Sequence, residues 1–123
     1  MLPLVFPLLA GAPAVTALVG TAPVRVYRHG SAPQNVASPY VTWSVTGGDA
    51  EIVFDQTDAD TFRVSVDCWA SGTAGDTLIE TLAAAVRAAI EPAAHLVGYI
   101  ADERDFDTQK FRISMAFDFI VLR

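Results

Sequence analysis

Residues 62–71, FRVSVDCWAS, alternate strictly between apolar and polar, and within a few residues the period of the chain changes. Phe62, Val64, Val66 and Cys68 take every second place, with Arg63, Ser65, Asp67 and Trp69 between them. That is the pattern of a strand buried on one face. In SGTAGDTLIETLAAAVRAAIEP (71–92) the apolar residues Leu78, Ile79, Leu82, Val86, Ala89 and Ile90 instead keep the 3.6-residue period, and the alanines favour helix. The spacing predicts a helix over 75–91, capped by Asp76 or Thr73, with Glu80 near its start where its charge suits the dipole and Pro92 past its end. A strand with one apolar face running into a helix with one apolar stripe buries both by packing the helix on a sheet.

The remaining segments extend that sheet. PVRVYRH (23–29) and PYVTWSVTG (39–47) read as strands separated by the turn-rich GSAPQNVAS. From His95 to Arg123 the pattern is a long hairpin turning near Asp107 and Thr108. Its second arm alternates Phe111, Ile113, Met115, Phe117, Phe119 and Val121 with Arg112, Ser114, Ala116, Asp118, Ile120 and Leu122. That arm becomes apolar on both sides at its end, as suits a central or oligomer-covered strand. The expected fold is α+β: a mostly antiparallel sheet of four to five strands, with one long helix and short N-terminal helices packed against it. Residues 1–123 are expected to form a single domain.

The opening segment, MLPLVFPLLAGAPAVTALVG, has no charge before Arg25 and invites comparison with a membrane span or a signal peptide. Pro7 and Pro13 interrupt the roughly 20 helical residues a span requires, and no basic region starts it, so no membrane association is expected. Two short helices fit better. Pro3 and Pro13 suit first turns, Gly11 and Gly20 suit C-terminal ends, and Leu4, Leu8, Ala12, Val15 and Leu18/Val19 form the predicted stripe. Mean hydropathy is high, +0.37, so the excess apolar surface points to a subunit interface.

Cys68 is the only cysteine, so it forms no internal disulfide. Its place on the apolar side of the strand disfavours a thiolate and makes it a packing residue. His29 and His95 have no metal or triad context, and HGS (29–31) lacks the glycines of a nucleophile elbow around Ser31. Gly47-Gly48 is followed by neither Lys-Ser/Thr nor a helix start, so it is a turn signal and not a phosphate loop. Asp55, Asp58 and Asp60 do not match a calcium loop, and Asp102, Glu103, Asp105 and Asp107 alternate along a hairpin arm. Solvated acidic loops are expected at both places, with no metal, no cofactor and no catalytic residue.

Charge is uneven. Residues 1–48 carry Arg25 and Arg28 and no acid, whereas residues 49–123 carry six basic and fourteen acidic residues, for a net charge of −6 overall. An acidic chain without a basic stripe is not built to grip nucleic acid. Within the acidic part, DAEIVFDQTDAD (49–60) sets Ile52, Val53 and Phe54 between Asp49 and Glu51 on one side and Asp55, Asp58 and Asp60 on the other. Two roles fit it: an extra strand paired within its own sheet, or a docking arm with an apolar anchor and a charged rim at a subunit or ring interface.

The order of PAVTALVG, a short strand, a proline-containing loop into SPYVTWSV, and VSVDCWA leading into TLIETLAAAVRAAIEP resembles the tail-completion (tail-terminator) family of long-tailed bacteriophages and gene-transfer particles. The resemblance spans almost the whole chain. It implies a structural virion protein, assembled in the host cytoplasm, that forms a homo-oligomeric ring of about six copies, caps the head-proximal end of the tail tube and joins it to the head connector. The implied partners are further copies of the chain, the tail-tube protein and the head-tail connector protein, with DNA passing through without specific binding. The alternatives are another tail-tube or connector subunit on a related fold, or a small-molecule binding module. Cys68 matches a packing position of the family, which has no catalytic residues to carry over.

Overall fold

The computed structural model describes residues 3–21, 23–28, 31–33, 36–51, 59–72, 74–104 and 109–122, with backbone alone at 48–51, 59 and 122. In chain order the elements are α1 (Val5–Ala10), α2 (Pro13–Val19), β1 (Val26–Arg28), β2 (Tyr40–Glu51), β3 (Ala59–Ala70), α3 (Gly75–Ile90), β4 (His95–Arg104) and β5 (Phe111–Leu122). The five strands form one sheet in the order β1-β2-β3-β5-β4. Among the described residues only the β1–β2 pair is parallel. The α+β architecture and mostly antiparallel sheet match the sequence expectation.

Register explains the core. Val41 and Ile113 flank Cys68, Trp43 and Met115 flank Val66, and Val45 and Phe117 flank Val64, so three strands point their apolar residues to one face. α3 packs on that face across β3 and β5 through Ile79, Leu82, Ala83, Val86 and Ile90, all buried. α1 and α2 pack beside α3, and α1 also contacts β1. The helices therefore occupy one side of the sheet, and the strand positions carrying Thr42, Ser44, Ser65, Asp67, Trp69, Arg112, Ser114 and Asp118 form the other.

Three details differ from the sequence expectation. The buried N-terminal stripe is Val5, Leu9, Val15 and Val19, while Leu4 is exposed. In α2 the expected Val15 and Val19 are buried, and Leu8, Ala12 and Leu18 pack against the core, so the difference is confined to α1, where the buried residues fall one place on from Leu4 and Leu8. α1 starts at Val5, which puts Pro7, not Pro3, in its first turn. At α3 the N-cap residue is Ala74 without a side-chain bond, and Asp76 lies inside the first turn, accepting the Thr77 N–H at 2.8 Å. Thr73 lies outside the described residues. Gly20 ends α2 at φ 85°, a left-handed conformation that glycine adopts without a Cβ penalty.

Candidate functional site

The helix-free face of the sheet is polar, and most of its groups are paired among themselves. Trp69 stacks on Tyr40 with centroids 5.9 Å apart, and its Nε1–H donates to Thr42 Oγ1 at 3.0 Å. Lys110 stands 5.1 Å from the Tyr40 ring centre and donates to the Tyr40 hydroxyl at 3.1 Å. Arg112 lies 5.6 Å from the Trp69 ring centre and reaches Glu103 at 3.0 Å and Asp67 at 3.5 Å. The result is a ladder of cation, ring, ring, cation across β2, β3 and β5. Beside it a hollow of about 420 Å³ opens between this face and the loop before β2, lined by Pro33, Val36, Tyr40, Thr42, Trp69 and Lys110 among others.

Farther along the same face, Arg63 donates to both carboxylate oxygens of Asp118, at 2.9 and 3.0 Å. The Arg63 guanidinium holds the Asp118 carboxyl below its usual range, both by hydrogen bonds and by charge, against a smaller opposing effect of burial; His95 adds a little. His95 itself is exposed at the start of β4, opposite Asp118 in the ladder. His29 lies outside the described residues.

Cys68 is fully buried on the helix side of the sheet. Burial, with the Asp67 charge adding, pushes its thiol far above its ordinary value. It packs between Val41 and Ile113 and supplies no thiolate at neutral pH.

The acidic segment 49–60 divides. Asp49, Ala50 and Glu51 continue β2 and pair with Thr61, Asp60 and Ala59 of β3; Asp60 is half-buried and also pairs with Val121. Ile52, Val53, Phe54, Asp55 and Asp58 lie outside the described residues. The ladder continues past the level at which β4 begins, since His95 pairs with Asp118 and Asp118 with Arg63. β2, β3 and β5 therefore run on together past the start of β4, with Phe119 still part of the core. A register shift between Val45 and Gly47 marks where this extension begins. Of the other acidic residues, Asp102 and Glu103 sit on β4, and Asp105 and Asp107 lie outside the described residues. Among the described residues no group of His, Cys, Asp and Glu is arranged to hold a metal ion, and no helix is long and apolar enough to cross a membrane.

What the sequence reading did not find is the aromatic ladder. Tyr40, Trp69, Lys110 and Arg112 are scattered, and only the register of β2 against β3 and of β3 against β5 brings them together.

Residues 3–122 match the sequence family described as tail completion protein gp17. The chain belongs to that family. Tail completion proteins of this kind are structural components of a virion, and that is where this chain belongs. Its fold is similar to a chain in a solved structure titled "Virion of native gene transfer agent (GTA) particle", with a TM-score of 0.66 and 22% identity, covering 97% of this chain and 92% of that one. No curated protein matches the sequence.

Proposed function

We propose that this tail completion protein is a terminator: copies of the chain close into a ring of about six that caps the head-proximal end of the tail tube and joins it to the head connector. The observation that carries this is the family match over residues 3–122. The whole chain acts as one terminator domain. A closed ring also gives the exposed apolar surface a destination, and unlike an open array it stops growing, as a terminator must.

Residues 49–60 form a docking arm for the adjacent subunit or the next ring in the tail, with Ile52, Val53 and Phe54 as its apolar anchor and Asp49, Glu51, Asp55, Asp58 and Asp60 as its rim. In support, the flanking residues Asp49 and Glu51 of β2 and Asp60 of β3 lie on paired strands. DNA passes through the ring without being gripped. Each copy carries −6, so about six copies give roughly −36, and like charge keeps the phosphate backbone from adhering during passage.

Size-exclusion chromatography with light scattering, followed by electron microscopy of the oligomer, tests the ring. Rings that leave duplex DNA unbound at low salt support the proposal. A strict monomer carrying a ligand in the 420 Å³ hollow, or tight salt-sensitive DNA binding, overturns it.

A further inference from the structure

We draw no further inference here: the strongest candidate, the hollow between the loop before β2 and the helix-free face of the sheet, has its Tyr40 and Trp69 rings and its Lys110 ammonium already engaged within the chain, and nothing in the structure shows what would fill it.

Discussion

The Tyr40 and Trp69 rings lie parallel within 7°, their centroids 5.9 Å apart, although 28 residues separate them in sequence. Their Cα atoms are direct partners in the β2–β3 ladder, so the stack fastens the start of β2 to the end of β3 on the helix-free face. Lys110 and Arg112 close it from β5 and the residue before it.

Trp69→Ala removes the stack, the Arg112 contact and the hydrogen bond to Thr42 together. A loss of about 2–3 kcal/mol is expected in urea unfolding, below the full range for buried aromatics because Trp69 is half-exposed. Trp69→Phe keeps a ring but no indole N–H, and should lose about 1 kcal/mol. Equal losses from the two variants would show that the stack contributes little.

Parts of this fold were legible where a single period governs a segment. The alternation of β3, the 3.6 period of α3 and the alternation of β5 each report a face that one neighbouring layer buries, and the structure confirms all three. In the N-terminal stripe Val15 and Val19 are buried as expected, whereas in α1 the fully buried residues are Val5 and Leu9, one place on from Leu4 and Leu8. β4 was legible as a strand, but not its exposed side chains, because two bulges break the period that would have assigned Val97 and Ile100 to a face. The Tyr40–Trp69 stack depends on register, which no local pattern encodes. Of the segment 49–60, Asp49 and Glu51 lie on β2 and Asp60 on β3, paired strands whose acidic composition carries no strand signal.

Cys68 gives a pH test with a definite sign. Its native thiol titrates above its ordinary value of 9.0, chiefly through burial and secondly through Asp67. Below that value both native and unfolded chains hold the proton; above it the unfolded chain releases it first, so the native state binds more protons and stability falls as pH rises, by about 1.4 kcal/mol per pH unit. Cys68→Ala should cost about 1–2 kcal/mol at pH 7 through the cavity it leaves. The difference between the two proteins should then shrink to near zero by pH 10. A constant difference from pH 7 to 10, or rapid reaction of the native thiol with a maleimide, would contradict a buried packing role.

Gly75 is buried where α3 begins, and a Cβ there would meet the Phe111 ring at 2.7 Å. Gly75→Ala should therefore destabilise by about 1–3 kcal/mol despite the better helix propensity of alanine. Adding Phe111→Leu should recover part of the loss. Stabilisation by Gly75→Ala alone would mean that the ring yields freely.

Replacing residues 50–57 with a short Gly/Ser linker tests the proposed docking arm. The expected outcome is a chain whose thermal midpoint stays within a few degrees of the original but which no longer completes tails. Loss of folding would make the segment an integral strand, and normal assembly would remove it from the interface.

The most direct measurement is electron microscopy of particles produced with this gene product absent, compared with the same preparation after the purified chain is added back. A terminator predicts finished heads beside tails of uncontrolled length or tails detached from heads, with joining restored by the added chain. Tails of normal length already attached to heads, or no tube at all, would contradict it.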